Sequence, residues 1–273
     1  MFIPNTEQFN YPEDTAGHYA PVNEIHNIIF DKNYPYVDYS KGFAFKRFWV
    51  KVLLTLIVFP MAKIKMGIRI YGKNNLKKYK KVLSKGAVSV SNHVNNWDYI
   101  CVMKALHHIR FPYLLSIKEN INGDSGPLVR LVGGIPIPVN DKEAIVVFNK
   151  AINKLIQEGN ILQIYPEGSM WEFYSPIRPF KKGAASIAIK NNVPIIPMAF
   201  TYRKPGWLRR KLFKQIALFD LHIGEPLFAN KDLEKAAQVN DLTIRMHNAV
   251  CSLAGQSDIN KYSPIYNNSK RID

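Results

Sequence analysis

A histidine and an aspartate stand five positions apart in the segment SVSNHVNNWDYI (residues 89–100), at His93 and Asp98. An unperturbed histidine titrates near pH ~6.5, so its neutral imidazole is suited to take a proton from a hydroxyl at neutral pH. A carboxylate that accepts the other ring N–H fixes the tautomer and stabilises the imidazolium that forms. The segment therefore fits a general base with its orienting carboxylate, although an ordinary asparagine-rich turn has the same composition.

The two side chains can meet in only one kind of local structure. Five residues of a regular helix advance roughly 500°, which would leave His93 and Asp98 on different faces. His93 must therefore lie on a turn before a helix, with Asp98 in the first turn of that helix. The three asparagines within residues 92–96 favour such a turn, so the sequence predicts a strand, a turn and then a helix over 97–107.

A second polar segment, IYPEGSMW (residues 164–171), follows a predicted strand. It places Glu167 and a glycine turn at the carboxyl end of that strand, where the ligand sites of α/β sheets gather. The backbone N–H of Gly168 and the hydroxyl of Ser169 could bind an anion there. Taken alone, the segment fits a plain β-turn at least as well.

A third segment, SPIRPFKKGAASIAIK (residues 175–190), places Arg178, Lys181 and Lys182 before a predicted helix. Cations are disfavoured at a helix N-terminus because the helix dipole is positive there. Basic groups in this position indicate an anion held jointly by the helix and the side chains. A solvated basic face is the alternative interpretation.

Strands and helices alternate from residue 85 onward. Strands are predicted over residues 86–93, 112–117, 133–139, 161–165, 193–200 and 216–224, and helices over 97–107, 140–158, 181–190 and 242–253. Prolines indicate that 133–139 is an edge strand, and Asn140 with Glu143 fits a capping box that begins the next helix. This alternation predicts an α/β fold, a single layered domain with a mixed, largely parallel sheet flanked by helices.

Charge is distributed unevenly along the chain, whose net charge is +16. Residues 1–40 hold six acidic side chains and one basic one, a balance of −5, and read as an irregular arm. The remainder holds 36 basic and 15 acidic side chains, a balance of +21. This surplus favours a polyanionic partner, namely an anionic membrane, a nucleic acid or a phosphorylated substrate, over a merely solvated basic surface.

An apolar run of eleven residues, Val52 to Ala62, follows the arm and contains Pro60. A membrane-spanning helix needs about 20 residues, and lysines and arginines border this run on both sides. These features favour a helix that lies in the membrane interface and bends at Pro60, with a buried core helix as the alternative. The chain thus divides into an acidic arm (1–40), an interfacial helical segment (41–66), a main domain (67–255) and a polar tail (256–273).

Two cysteines, Cys101 and Cys251, are too few for a disulfide framework and favour a reducing compartment. The first forty residues lack the basic start and apolar run of a secretory signal. We therefore expect a peripheral or monotopic protein on the cytoplasmic face of a membrane. The other histidines lack zinc-ligand spacing, so no metal is expected, and no Gly-x-Ser-x-Gly elbow for a serine nucleophile occurs.

The order of the motifs is more specific than any one of them. Asn-His-x4-Asp, a Gly-rich segment, Tyr-Pro-Glu-Gly-Ser, Phe-Lys-Lys-Gly-Ala and Val-Pro-Ile-Ile-Pro follow one another, and this order resembles the glycerolipid acyltransferase family over roughly residues 65–225. In that family the histidine is the base and the aspartate orients it, roles that carry over to His93 and Asp98. The family's Glu-Gly element, implicated in binding the acyl acceptor, falls on Glu167, Gly168 and Ser169.

The resemblance implies a membrane-associated enzyme that transfers a fatty acyl group from acyl-CoA or acyl carrier protein to a lysolipid hydroxyl. The first candidate acceptor is 1-acyl-glycerol-3-phosphate, and neither a bound cofactor nor a nucleic-acid partner is expected. Two family arginines associated with the acceptor phosphate are missing, since Met170 and the segment GGIPIPVND occupy their places. Either Arg178, Lys181 or Arg203 substitutes for them, or the acceptor carries no phosphate. A non-catalytic basic protein that binds membranes or nucleic acid is the alternative from another class.

Overall fold

A computed structural model describes residues 2–19, 23–256 and 263–267. Within these ranges the chain forms one seven-stranded sheet. Its strands in chain order are β1 (Arg69–Tyr71), β2 (Ala87–Val90), β3 (Tyr113–Ser116), β4 (Gly134–Pro136), β5 (Ile161–Ile164), β6 (Ile195–Arg203) and β7 (Leu218–Ile223). The spatial order is β1-β7-β6-β2-β5-β3-β4, and every neighbouring pair is parallel except β6 with β7. The predicted α/β fold with a mixed, largely parallel sheet is confirmed.

Helices cover both faces of this sheet. In chain order they are α1 (Lys41–Leu53), α2 (Phe59–Lys65), α3 (Lys73–Lys78), α4 (Lys80–Leu83), α5 (Asp98–Leu106), α6 (Lys118–Asn122), α7 (Gly126–Leu131), α8 (Lys142–Gln157), α9 (Gly183–Asn191), α10 (Trp207–Phe213) and α11 (Lys235–Leu253). The strand β4 lies at the end of the sheet, as its prolines predict. The short helices α3, α4, α6, α7 and α10 have too few periodic apolar residues for the sequence to reveal them.

The prediction of a capping box that begins at Asn140 is wrong. The N-cap of α8 is Asp141, whose carboxylate accepts a hydrogen bond from the Ala144 N–H at 3.0 Å. Asn140 instead has a φ of 60°, a left-handed conformation that asparagine tolerates better than most residues and that turns the chain out of the preceding segment. Aspartate is as good an N-cap as asparagine, so the shift by one residue costs the helix nothing.

The central strands are buried on both faces. Val88 and Val90 of β2 pack into the cluster that α8, α9 and α11 contribute to, whereas Ala87 packs into the cluster on the α5 face. Parallel strands covered by helices on both sides must be apolar almost throughout. The polar exceptions, Ser89 and Gln163, satisfy each other through a hydrogen bond of 2.6 Å between neighbouring strands.

The segment between the arm and the sheet contains α1, a π-helical turn (Leu54–Val58) and α2. The π-helical turn stands directly before Pro60, whose ring nitrogen cannot donate to the helix. Leu54, Phe59 and the α5 residues Tyr99 and Met103 form a small core cluster. The other side of the segment exposes its large apolar side chains: Phe45, Phe48, Trp49, Leu53, Leu56, Ile57, Met61 and Ile64. Among the described residues, no helix combines the length and apolarity needed to cross a bilayer.

The four segments into which the sequence was divided stay predictions, because no feature of the described fold marks a boundary between separate domains. Residues 2–19 and 23–40 contain neither helix nor strand beyond an isolated bridge between Glu24 and Gly123. Most of the tail expected at 256–273 lies outside the described residues. Its described part, residues 263–267, packs on the main body, where the Phe180 N–H donates to the Pro264 carbonyl at 3.0 Å.

Candidate active site

The structure brings His93 and Asp98 together in the way that their spacing requires. Strand β2 ends at Val90, His93 lies on the turn that follows, and Asp98 is the first residue of α5. The distance from His93 Nδ1 to Asp98 Oδ2 is 3.1 Å. The aspartate side chain is 1% exposed and the histidine side chain is 24% exposed. Asp98 is therefore buried, whereas His93 is accessible to solvent.

The surroundings of Asp98 fix how this pair is protonated. Its Oδ2 also accepts the backbone N–H groups of Val94 at 2.6 Å and Asn95 at 3.0 Å. Burial raises the pKa of the Asp98 carboxyl above its ordinary value, and these hydrogen bonds to the carboxylate oppose that rise. Since Oδ2 already accepts two N–H groups, His93 Nδ1 must be the donor to it. The unprotonated nitrogen of the neutral ring is then Nε2, the atom a general base needs.

Tyr165 holds the imidazole from one side. Its ring is stacked on the His93 ring with 3.8 Å between centroids and 10° between planes. Tyr165 directly follows β5, the neighbour of β2 in the sheet, so the two rings meet because both strands end at the same edge. Tyr165 was not predicted as a site residue, although its place before Pro166 and Glu167 in the second motif was a usable signal. The stack limits rotation of the His93 ring about its Asp98 hydrogen bond.

Replacing Tyr165 by leucine is expected to lower kcat for acyl transfer about fivefold, because ring stacking of this kind contributes about 1 kcal/mol to holding an orientation. Tyr165→Phe is the matched control. The Tyr165 hydroxyl is buried and makes no hydrogen bond to the described part of the chain, so phenylalanine keeps the stack and loses no partner there. Steady-state kinetics of the two variants test whether the Tyr165 ring positions His93. Equal activity in Tyr165→Leu and Tyr165→Phe would show that the ring does not position His93.

Glu167 and Arg178 form a buried ion pair beneath the histidine turn. Arg178 Nη2 lies 2.9 Å from Glu167 Oε2, and the two side chains are 1% and 2% exposed. Glu167 Oε1 accepts the Arg178 backbone N–H at 3.0 Å, and its Oε2 also accepts the backbone N–H of His93 at 3.1 Å. The Glu167 carboxylate therefore ties the second motif to the histidine turn. Both residues were predicted to bind substrate, and that role stays a prediction.

Ser169 extends this buried network toward the N-terminal arm. Its hydroxyl accepts a hydrogen bond from Arg178 Nη1 at 2.9 Å and donates to the Gly17 carbonyl at 2.7 Å. Trp171 Nε1 donates to the same carbonyl at 2.8 Å, and Arg178 Nη1 also donates to the Thr15 carbonyl at 2.8 Å. The arm is thus packed against the second motif, and it covers the side of Ser169 and Arg178 that faces away from Glu167.

Gly168 and Lys181 provide the solvent-facing part of the second and third motifs. Gly168 has a φ of 87°, and a Cβ at this position would come within 2.6 Å of Lys181 Nζ. Lys181 and Lys182 line a cleft of about 630 Å³ at the start of α9, together with Tyr266. Helix α9 has no side-chain cap and no acidic residue in its first turn. This end of α9 therefore presents both backbone N–H groups and lysine side chains, a combination suited to an anion.

The three cations proposed to replace the missing family arginines are not equivalent. Arg178 is paired with Glu167 inside the protein. Arg203 is paired with Asp220 at 2.7 Å and donates to the Gly67 carbonyl at 2.6 Å. Lys181 lies against Gly168 at the edge of the cleft. Its Nζ also lies 5.5 Å from the centre of the Tyr266 ring, and of the three residues Lys181 is the one that lines the cleft.

Metal ligands do not come together in the described ranges, where no group of three histidine, cysteine, aspartate or glutamate side chains has the geometry to hold an ion. Cys101 and Cys251 are both buried thiols without a disulfide. Burial raises the pKa of the Cys251 thiol to about 11, so this cysteine stays protonated at neutral pH.

The site thus pairs a partly exposed imidazole with a buried carboxylate at the carboxyl end of a parallel strand of an α/β sheet. Comparison with known proteins gives the family. The model of a family described as Acyltransferase matches residues 67–201. A 1-acyl-sn-glycerol-3-phosphate acyltransferase of Bacillus subtilis (strain 168) is 27% identical over 161 residues, which cover 59% of this chain and 74% of that protein.

A solved structure agrees in fold. The 1-acyl-sn-glycerophosphate (LPA) acyltransferase PlsC from Thermotoga maritima matches with a TM-score of 0.51 and 15% identity, covering 80% of this chain and 85% of that chain. Residues 67–201 therefore form an acyltransferase-family domain, and the relatives that the chain resembles are glycerolipid acyltransferases. The matched range includes His93, Asp98 and the second and third motifs, so the resemblance seen in the sequence is confirmed.

Proposed function

We propose that this acyltransferase transfers a fatty acyl group from an acyl thioester to the hydroxyl of a lysophospholipid at a membrane surface, with His93 as the general base. The first candidate acceptor is 1-acyl-glycerol-3-phosphate, which would give phosphatidic acid. The observation that carries the proposal is the 3.1 Å contact between His93 Nδ1 and the buried Asp98 carboxylate, which directs Nε2 of the partly exposed ring to a substrate.

The reaction follows from this geometry as a direct transfer. His93 Nε2 takes the proton of the acceptor hydroxyl while the hydroxyl oxygen attacks the carbonyl carbon of the thioester. The tetrahedral intermediate then breaks its C–S bond, and the imidazolium returns the proton to the departing sulfur. Asp98 stabilises the imidazolium between these two steps. The donor is acyl-CoA or acyl carrier protein, and this chain needs no cofactor of its own for these steps.

The acceptor phosphate would bind at the start of α9. Lys181 and Lys182 line the cleft there, and the first N–H groups of α9 carry no side-chain cap. This arrangement would replace the family arginine that is absent at Met170. The same absence motivates a second candidate, an acyltransferase whose lipid acceptor carries no phosphate.

An acceptor competition tests both candidates. The purified chain is given acyl-CoA together with equimolar lysophosphatidic acid, lysophosphatidylcholine and monoacylglycerol, and the products are measured by lipid mass spectrometry. We expect phosphatidic acid to dominate. Preference for the neutral acceptor would support the second candidate and overturn the first. Absence of thioester consumption, with salt-sensitive binding to nucleic acid, would overturn both in favour of a non-catalytic basic protein.

Replacing Lys181 by methionine is expected to raise the KM for lysophosphatidic acid about tenfold, since a charge-assisted contact with phosphate contributes about 1.5–3 kcal/mol. The KM for monoacylglycerol and the value of kcat should stay within about twofold. Lys190→Met, at the far end of the same helix, is the matched control. An equal rise in KM for both acceptors would show that Lys181 does not contact the phosphate.

Membrane association is proposed on the exposed face of residues 41–66. Aromatic and aliphatic side chains are exposed there between lysines and arginines, which is the pattern of a helix lying in a membrane interface. The buried side of the same segment, centred on Leu54 and Phe59, joins it to α5. The core-helix interpretation thus describes the buried face, and the interfacial interpretation is the one that we propose for the exposed face. The reducing cytoplasmic face of the membrane is the location that we propose.

A further inference from the structure

Helix α10 exposes a cluster of apolar side chains that the proposed chemistry does not use. Each of its four large apolar side chains is more than half exposed, and no residue of this seven-residue helix is buried. These side chains, called here the α10 patch, are Trp207, Leu208, Leu212 and Phe213. Helices this short are not stable in water without packing, and exposed apolar clusters of this kind mark interaction surfaces.

The α10 patch is surrounded by cations. Residues 204–214 contain five basic side chains and no acidic one. Lys211 Nζ lies 5.2 Å from the centre of the Trp207 ring, so charge and aromatic surface are intermixed rather than separated. A tryptophan, a phenylalanine and leucines bordered by arginines and lysines are the composition of segments that sit at the boundary between lipid headgroups and acyl chains.

Helix α10 is fastened beside the end of α2, although the two are separated by more than a hundred residues in the sequence. Arg209 Nη1 donates to the Ile64 carbonyl at 2.8 Å, and Gln215 Nε2 donates to the Lys65 carbonyl. Ile64 is itself 65% exposed. The α10 patch and the exposed face of α1–α2 therefore lie next to each other at the end of α2.

The catalytic turn is adjacent to the same place. Lys65 Nζ, at the end of α2, lies 4.8 Å from the centre of the Trp97 ring, and Trp97 directly precedes Asp98. Strand β6 leads into α10, and its last residue, Arg203, donates to the Gly67 carbonyl between α2 and β1. A surface that docks at this junction would place the histidine turn beside whatever it binds.

We propose that the α10 patch is a second membrane-docking element, which inserts Trp207, Leu212 and Phe213 into the interface of an anionic bilayer while the neighbouring basic side chains contact lipid headgroups. The proposal rests on the proposed membrane location of the enzyme and adds a site of contact to it. An anionic bilayer is the occupant because a charge excess of +5 over residues 204–214 surrounds an apolar cluster. Two contacts at one junction orient the protein, so that the lipid acceptor can reach His93 without leaving the membrane.

Vesicle sedimentation tests the proposal on the full chain. The variant Trp207→Ser/Leu212→Ser/Phe213→Ser is compared with the unaltered chain on vesicles of phosphatidylcholine and phosphatidylglycerol. We expect its affinity to fall at least about tenfold, because three side chains no longer insert. Phe228→Ser is the control, since Phe228 is an exposed aromatic residue that lies beside α11, where its carbonyl accepts a hydrogen bond from Arg245. The affinity of this variant should stay within about twofold.

The contribution of the basic side chains to vesicle binding and the insertion of the apolar ones into the bilayer are measured separately. Arg210→Gln/Lys211→Gln should weaken binding to phosphatidylglycerol vesicles about fivefold for each cation removed and leave binding to pure phosphatidylcholine vesicles unchanged. Lipids brominated on their acyl chains should quench part of the tryptophan fluorescence. Trp49 lies on the exposed face of residues 41–66, so the measurement is made in a Trp49→Phe background. There the quenching should vanish when Trp207→Phe is added, because the remaining quenched fluorophore is the one in the α10 patch.

Three results would overturn the proposal. The first is unchanged vesicle affinity of the triple variant, and the second is quenching that persists in Trp49→Phe/Trp207→Phe. The third is a dimer in solution that the triple variant converts to a monomer without loss of vesicle binding, which would assign the patch to a second copy of the chain. Acyl transfer to an acceptor dispersed in detergent separates this test from the proposed function. A chain that binds vesicles through α10 but transfers no acyl group would contradict only the proposed function.

Discussion

The His93→Ala substitution is expected to lower kcat for acyl transfer by about 10²- to 10⁴-fold, the contribution of a positioned general base. The free energy of unfolding should change by less than about 1 kcal/mol, since the side chain is partly exposed. The backbone groups of His93 keep their partners: its N–H still reaches Glu167 and its carbonyl still accepts from Trp171. Initial rates with acyl-CoA and lysophosphatidic acid, together with a urea unfolding curve, measure the two effects.

The aspartate should act only through the histidine. Asp98→Asn keeps the size of the side chain but removes the negative charge that stabilises the imidazolium, so kcat should fall by a similar factor. In the His93→Ala background, the same Asp98 substitution should have almost no further effect on the rate, because residues that act as a unit are not additive. His108→Ala is the control, since His108 is an exposed histidine beyond the end of α5.

Two outcomes would contradict this role of the pair. Near-normal turnover in His93→Ala would remove His93 from the chemistry. A further large loss on adding Asp98→Asn to His93→Ala would mean that Asp98 has a catalytic contact of its own. Loss of folding in Asp98→Asn, which alters an acceptor of three N–H groups, is recognised by the unfolding curve and does not affect the His93 result.

The catalytic pair could be predicted because its geometry is local. The five-residue spacing allows contact only across a turn that begins a helix, and the structure has that turn. The parallel sheet followed in the same way from alternating strands and helices, except that β1, a strand of three residues, was too short a run to be predicted. The antiparallel pairing of β6 with β7 could not be predicted, since the sequence does not specify the direction in which a strand enters a sheet.

The buried network around Arg178 could not be predicted because its contacts join distant parts of the chain. Basic residues before a helix suggested an anion in solution, whereas the anion that Arg178 contacts is the carboxylate of Glu167 eleven residues earlier. The contact of the N-terminal arm with this network could not be predicted either. Thr15 and Gly17 accept hydrogen bonds through their backbone carbonyl groups, which every residue has. For Lys181, the anion contact predicted from its position at the start of a helix stays a prediction.

Replacing Arg178 by methionine is expected to lower the free energy of unfolding by about 3–5 kcal/mol, because it leaves the Glu167 carboxylate buried without its charge partner. Arg178 is 1% exposed, and it also donates to Thr15 and Ser169 and lies 4.3 Å from the centre of the Trp171 ring. The loss should appear in urea unfolding as a lower midpoint at an unchanged slope. Arg245→Met is the matched control, since Arg245 pairs with Asp241 on the surface and should cost only about 0.2–1 kcal/mol.

Adding Glu167→Gln to Arg178→Met should recover part of the lost stability, because the unpaired charge is removed. The recovery should be incomplete, since the single amide oxygen can accept only one of the two N–H groups, of His93 and Arg178, that the two carboxylate oxygens accept. The kinetic result distinguishes a scaffold from a substrate contact. If Arg178 only supports the histidine turn, kcat falls together with stability and the KM ratio between phosphate and neutral acceptors stays constant. A selective rise in KM for lysophosphatidic acid, with stability unchanged, would instead establish Arg178 as the residue that binds the acceptor phosphate and would refute its structural role.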